Sequence, residues 1–576
     1  MSVRNTVKSI QDIMRQDVGV DGDAQRISQL CWMFFLKIID DQDQQLELMQ
    51  DGYLSPIPER LQWRSWAADP EGVTGDELLN FINSQLFPQL KELQVNGQPG
   101  NRKRVIRDVF EDAYNYMKSG QLLRQVINKI NDVDFNNLVE RQHFGDIYEQ
   151  ILNDLQSAGN AGEYYTPRAL TSFMVDRIDP KPGEVLLDPA CGTGGFLASA
   201  VRHMRERYVK TVEDEVEIRL SLRAVEKKQL PHMLCVTNML LHGIEDPSFV
   251  RHDNTLARPY ISYGSSDRVD IVVTNPPFGG REEDGIESNF PKQFQTRETA
   301  DLFLALIIRL LKPTGRAAVV LPDGSLFGEG VKTRLKEHLL EECNLHTIVR
   351  LPNSVFKPYA SIGTNLLFFQ KGEPTKEIWF YEHRVPEGQK AYSMTKPIKV
   401  EHLSSCIAWW GGAERKGRIE SEVAWRVNFS DVIDDARTRA RPHWDEAETL
   451  SSQASAIKGT IFQLRSQIKE MEKTRDEFHP GSKELQESEG RLKTHNSHLE
   501  DFTKQLSLTE ERQRTAQRTG DGIYDAAFNL DFKNPHTIPT NHGDPEELLR
   551  KLDDAETQTA MLRDDLKTIL EEALLR

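Results

Sequence analysis

The chain has 576 residues, 38% of them hydrophobic, and a formal net charge of −17 from 72 basic and 89 acidic side chains. Length and apolar content predict a soluble protein of three or four domains, while the acidic balance excludes a chain that alone grips DNA over a long footprint, since Lys and Arg neutralising phosphates dominate such affinity. Five cysteines, Cys31, Cys191, Cys235, Cys343 and Cys406, are scattered without a C-x-x-C pair, so neither a zinc site nor a disulfide framework is indicated and no metal is expected.

Residues 1–155 read as a helical N-terminal domain. Ile10, Ile13 and Met14 recur at helical spacing, and Ile27, Leu30, Cys31, Phe34, Phe35 and Ile38 form a second apolar face that reads as helix-packing core. Met1 to Asn5 lead into no signal-peptide core, and the most apolar run, Leu30 to Ile39, contains Lys37 and is too short for a bilayer. A cytoplasmic protein without membrane contact is expected.

A polar link at 157–162 opens a second domain, 156–440. Glu163-Tyr164-Tyr165-Thr166-Pro167-Arg168 suits the start of a helix running to Ile178. Val185 to Leu187 reads as a strand entering a glycine-rich turn, Asp188-Pro189-Ala190-Cys191-Gly192-Thr193-Gly194-Gly195-Phe196, followed by a helix to about Arg207. Glycines at 192 and 194 permit positive φ and close approach of a ligand, and Asp188 at the strand end suits a cationic ligand better than a phosphate. Leu197 stands where a dinucleotide fingerprint needs its third glycine, and no Lys-Ser/Thr pair follows to make a P-loop.

Ser221 to Val225 reads as the second strand. It ends in Glu226, the expected ribose-hydroxyl acceptor, at a longer interval from the glycines than usual. Val269 to Thr274 reads as a buried parallel strand running directly into Asn275-Pro276-Pro277-Phe278. The charged stretch 281–298 reads as a mobile loop beside the site. An apolar helix from Asp301 to Leu311 and strands at Arg316–Leu321, Thr347–Leu351 and Asn365–Gln370 complete a mostly parallel, doubly wound α/β sheet. Trp409, Trp410 and Trp425 fall in a mixed stretch, 373–440, whose chemistry is not readable.

Leu450, Ala454, Ile457, Ile461, Leu464, Ile468 and Met471 alternate by four and three. Beyond Pro480-Gly481, Leu485, Leu492, Leu499 and Leu506 repeat by heptads. Residues 441–520 therefore read as an antiparallel coiled-coil hairpin ending near Gly520. The tail, 521–576, carries a last helix from Asp544-Pro545 with an apolar seam through Leu552, Leu562, Leu566 and Ile569, which can pack on the hairpin or on a partner helix.

The acidic residue followed by Gly-x-Gly-Gly resembles the S-adenosylmethionine (SAM) loop of class I methyltransferases. Asn-Pro-Pro-Phe after a central strand resembles the catalytic motif of DNA amino-methyltransferases. With the wider Asp-Pro-Ala-Cys-Gly-Thr-Gly-Gly-Phe context, the chain resembles over most of its length the modification subunit of type I restriction-modification systems. The resemblance implies a Rossmann-like class I fold and an N6-adenine DNA methyltransferase, with a helical N-terminal domain that closes over DNA. It implies SAM held by Glu163 to Arg168, by Asp188, Ala190 to Gly195 and Glu226, and by either Asp253 or Asn254 near the SAM adenine. It further implies that Asn275 and the Pro276 carbonyl accept from the target amine, that Pro277 helps fix the chain, and that Phe278 stacks on an adenine flipped out of double-stranded DNA. Phe356 stands where the family offers a second aromatic or is simply core, and Asn529 to Pro535 resembles a motif near the family's C-terminus. The implied partners are a specificity subunit, a restriction subunit in the full complex and a second copy of the modification subunit. Two other readings compete: protein-glutamine methyltransferases share Asn-Pro-Pro but favour Tyr next, and a SAM-binding assembly scaffold would need no catalysis.

Overall fold

The computed structural model describes residues 3–95, 102–137, 165–357, 360–393, 395–480 and 482–536, with isolated positions between 141 and 152 and between 552 and 563. The expectations for Glu163, Tyr164, the 157–162 link and the seam beyond Asp544 lie outside the described residues, isolated positions apart.

Nine strands form one sheet: β1 (Leu186–Asp188), β2 (Leu222–Glu226), β3 (Val250–His252), β4 (Val269–Thr274), β5 (Leu311–Pro322), β6 (Cys343–Leu351), β7 (Thr364–Lys371), β8 (Glu377–Glu382) and β9 (Ala424–Asn428), in the order β3-β2-β1-β4-β5-β7-β6-β8-β9. β2 starts one residue later than the sequence predicts because the preceding helix runs through Ser221. β4 is buried at five of its six positions, as an apolar strand between two neighbours must be. The β3-to-β5 half is parallel throughout, with Leu186 of β1 registered against Leu222 of β2 and Ile271 of β4. Chain order reverses between β1 and β4. That reversal opens a crevice beyond their carboxyl ends, where Asp188 and Asn275 stand.

The other half is mixed: β7 lies antiparallel to both β5 and β6, and β9 to β8. The 352–363 connection carries turns and no helix among its described residues, and without a helical crossover β7 returns antiparallel to β6. Helices Arg168–Ile178, Gly195–Arg207 and Gln229–Leu241 share the core on one face of the sheet, and Thr299–Leu310 and Val331–Glu342 pack on the other.

The N-terminal helices join the first of these cores. Helix Asp23–Met49 is buried without interruption from Ile27 to Asp43, so the predicted apolar stripe is one side of a helix enclosed all round. Its Lys37 pairs with Asp41 one turn on. Cys31 docks it on the Gln229–Leu241 helix, its Sγ 3.2 Å from the Thr237 hydroxyl. No helix among the described residues is long and apolar enough to cross a membrane.

Helices Phe429–Arg475 and Lys483–Ala526 form the antiparallel hairpin, with Leu450, Ala454, Ile461, Ile468 and Leu492 buried along the seam. Both extend beyond the predicted 441–520. The first begins at Phe429 and passes through Pro442, and the second continues past Gly520 to Ala526. A Cβ on Gly520 would stand 2.6 Å from Trp444 Cδ1, so this glycine admits the facing indole instead of ending the helix. Gly520→Val is expected to wedge the hairpin base apart at a cost of about 1–3 kcal/mol, read as a lowered Tm. An unchanged Tm would show that the indole has room to swing out.

Past the hairpin, the Asn529 to Pro535 segment returns to the sheet. Leu530 is fully buried and its N–H donates to the Leu326 carbonyl at 3.1 Å, while Phe532 packs edge-on against Phe380 of β8.

Candidate functional site

A cavity of about 410 Å³ lies at the carboxyl ends of β1, β2 and β4. Among the predicted residues it is lined by Thr166, Arg168, Ala190, Cys191, Gly192, Thr193, Gly195, Glu226, Asn275 and Pro277, with Asp253 and Asn254 beside them. A larger cleft of about 780 Å³, floored by Leu187, Val225 and Val269, contains no residue of the glycine turn or of Asn275 to Phe278. Convergence of motifs therefore singles out the smaller cavity.

The glycine turn forms as the sequence requires. Gly192 and Gly194 have φ of 52° and 79°, and a Cβ on Gly195 would collide with the Arg168 guanidinium. The Cys191 N–H donates to the Val225 carbonyl at 3.0 Å, and the Gly192 N–H donates to Glu226 Oε2 at 2.9 Å, which ties the turn to the end of β2. Glu226 also accepts from the Lys228 N–H at 2.8 Å, and burial raises its pKa.

Asp188 stands one layer behind the cavity wall. It is 1% exposed, and its Oδ1 accepts from the Ala190 N–H at 3.2 Å, bracing the turn. Burial pushes its carboxyl up to about 7; the Thr274 hydroxyl tempers that rise without a well-formed hydrogen bond, and the nearby Glu226 carboxylate adds to it.

Arg168, at the start of its helix, ion-pairs through Nε with Glu149 and lies over the buried Tyr165 ring, 4.9 Å from its centroid. Burial is the largest influence on Glu149 and would raise it, but the Arg168 charge, together with hydrogen bonds from Arg168 and Asn238 and the nearby His242, holds the carboxyl below its usual value. Nη1 and Nη2 of Arg168 are buried without a hydrogen-bond partner, leaving two donors beside the cavity. The turn thus presents a guanidinium on one side and carboxylates on the other.

Asn275 leaves β4 at the cavity mouth. Its Nδ2 donates to the Thr166 hydroxyl at 3.0 Å, and its Oδ1 is buried with no partner. Pro276 is buried, Pro277 is exposed, and the Phe278 ring meets Phe356 edge-on at 5.9 Å. Phe356 is 3% exposed, so it is at once core and the ring that supports Phe278.

A model of the N-6 DNA methylase family matches residues 139–450, and one of the HsdM N-terminal domain matches residues 3–130. Over 480 residues the chain is 58% identical to the type I restriction enzyme EcoEI methylase subunit of Escherichia coli, covering 82% of this chain and 98% of that one. The chain belongs to the type I restriction enzyme methylase subunits. A solved modification subunit from Vibrio vulnificus YJ016 superposes on this methylase subunit with a TM-score of 0.66 and 44% identity, covering 75% of this chain and 93% of that one. A chain from a structural study of complex assembly in the type I R-M system gives 0.70 and 30%, covering 99% and 98%. The α/β sheet is thus that of a Rossmann-like methyltransferase.

One wall of this methylase's cavity escaped the sequence reading. Gly280 to Glu283 line it, with Lys227 bridging Glu282 at 3.0 Å and Glu283 at 2.9 Å. The 281–298 stretch read as mobile is closed at its base by an antiparallel backbone β-bridge between Arg281 and Glu298 and held by buried Phe290 and Phe294. Thr299 and Phe303 of the next helix add to the wall, the Thr299 hydroxyl donating to the Gly280 carbonyl at 3.0 Å. These residues belong to no local motif and are placed by contacts between distant positions, among them the Lys227-to-acid pairing across 55 positions.

Proposed function

We propose that the cavity of this DNA N6-adenine methylase subunit holds SAM and that Asn275 to Phe278 receive the adenine. The observation that carries this is the buried, partnerless Oδ1 of Asn275 at the mouth of a cavity walled by the glycine turn. The cavity lies within the ~300–1,000 Å³ range of small-molecule sites. Its charges fit too: Arg168 Nη1 and Nη2 suit the carboxylate of the methionine moiety, and Glu226 suits the ribose hydroxyls. Asn254 commits its amide to the Leu256 N–H and to Glu282, whereas the exposed Asp253 carboxylate, one oxygen of which accepts from the Asn254 N–H, keeps the other at the wall for the adenine amine of SAM.

SAM supplies an electrophilic methyl group on a cationic sulfur. The protein positions the nucleophile. An adenine amine is weakly nucleophilic because its lone pair is shared with the ring; hydrogen bonds to Asn275 Oδ1 and the Pro276 carbonyl draw that nitrogen toward tetrahedral geometry and aim the lone pair at the cavity. Two prolines hold the carbonyl in place. Phe278, buttressed by Phe356, stacks on the base, which must leave the duplex because an amine inside the helix cannot reach a recessed cofactor. No strongly basic side chain is needed.

In this reading the chain works in the cytoplasm beside a specificity subunit that reads double-stranded DNA. A second methylase subunit and, in the full system, a restriction subunit complete the complex. Family membership and the intact motif leave no support for the protein-glutamine and non-catalytic scaffold alternatives.

Proton linkage tests the cofactor site. Asp188 carries a pKa of about 7 in the free protein, and Glu226 is also raised. A bound cation favours both ionised forms, so binding releases protons and affinity is lost as pH falls through 7. Calorimetric titration with SAM is expected to show Kd weakening by up to about tenfold per pH unit below 7, with little change above 8. A flat Kd from pH 6 to 8 would place the cationic group away from these carboxylates.

A further inference from the structure

We propose that Thr166 is a positioning residue for methyl transfer: by accepting from Asn275 Nδ2, its hydroxyl anchors the Asn275 side chain with Oδ1 left to the incoming amine. The proposal rests on reading Asn275 as the acceptor of that amine.

An asparagine amide is nearly symmetric in shape, and rotation about its terminal torsion exchanges an acceptor oxygen for a donor NH₂. In the wrong orientation the site would oppose the N–H donors of adenine with more N–H donors. In the structure the amide stands with its nitrogen on Thr166. Nδ2 has the Thr166 hydroxyl at 3.0 Å, and Oδ1, also buried, has no partner. The contact spans 109 positions, so the fold places the hydroxyl there.

Thr166 is well held. It is 9% exposed and sits between Tyr165, buried beneath the Arg168 guanidinium, and Pro167, whose ring fixes φ near −49°. The same segment therefore touches the cofactor cavity and orients the base acceptor.

Removing the hydroxyl while keeping the shape leaves the Asn275 amide without its anchor, so Oδ1 is no longer held toward the target. Single-turnover transfer of labelled methyl by the assembled complex at saturating SAM should fall about ten- to a hundredfold in Thr166→Val, a loss larger than any change in SAM Kd measured by calorimetry. Thr166→Ser, which restores the hydroxyl, should recover the rate to within about threefold. Binding of SAM certifies the fold, and if Thr166→Val does not bind, Thr166→Ala takes its place. In an Asn275→Ala background, loss of the hydroxyl should cost nothing further.

A Thr166→Val rate within threefold of wild type, failure of Thr166→Ser to rescue, or a rate loss matched by loss of SAM affinity each overturns the positioning role. If Asn275→Ala itself is fully active, the underlying reading of Asn275 fails instead.

Discussion

Asn275→Ala should nearly abolish methyl transfer while leaving SAM binding intact. The side chain borders the cavity, but its unpaired Oδ1 is the acceptor proposed for the target amine, and the glycine turn, Arg168 and Glu226 stay in place without it. Loss of one preorganised polar contact at a reacting centre costs on the order of 100- to 1000-fold in turnover. Asn275 also keeps the amine in line, which places the expected loss toward the upper end. Single-turnover transfer to a duplex by the assembled complex, beside calorimetric SAM titration, separates the two effects. A variant within a few-fold of wild type would remove Asn275 from the chemistry.

Arg168→Ala is expected to damage both the scaffold and the cofactor site. It leaves Glu149 without its counter-ion; because the two side chains are 22% and 20% exposed, the cost is set at about 2 kcal/mol, below that of breaking a fully buried pair. It also removes the two free donors proposed for the SAM carboxylate, with a loss of affinity of about ten- to a hundredfold. The double variant Glu149→Ala, Arg168→Ala separates these consequences: stability should return, read by thermal unfolding, whereas SAM affinity should not. Recovery of both would make Arg168 a structural partner of Glu149 and nothing more.

The parts of the site that were legible in the sequence are those written in contiguous residues. Val185 to Phe196 names a strand, a positive-φ turn and a helix start in one stretch, and Val269 to Phe278 does the same for the central strand and its Asn-Pro-Pro-Phe exit. Each works through local backbone geometry, which residue type controls directly. What stayed hidden depends on contacts between distant positions. Nothing near Arg168 announces Glu149, nothing near Lys227 announces Glu282, and nothing near Asn275 announces Thr166.

The fold shows the same division. Parallel β1 to β5 follows from alternating strands and helices, but β7 is antiparallel because its connection contains turns, a distinction apolar periodicity does not carry. Pro442 and Gly520 are ordinary helix breakers by local rule. In the hairpin, helix continuity through Pro442 and the packing of Trp444 into the space at Gly520 override that rule.

The central claim is that Asn275 Oδ1 accepts from the N6 amine of an adenine taken out of the duplex. The most direct measurement is a structure of the assembled complex with duplex DNA and a non-transferable SAM analogue, read as the distance between those two atoms. An extrahelical adenine stacked on Phe278, with its N6 within about 3.2 Å of Oδ1, is the expected result. An adenine still stacked in the duplex, or an extrahelical one whose amine meets a different acceptor, would contradict it.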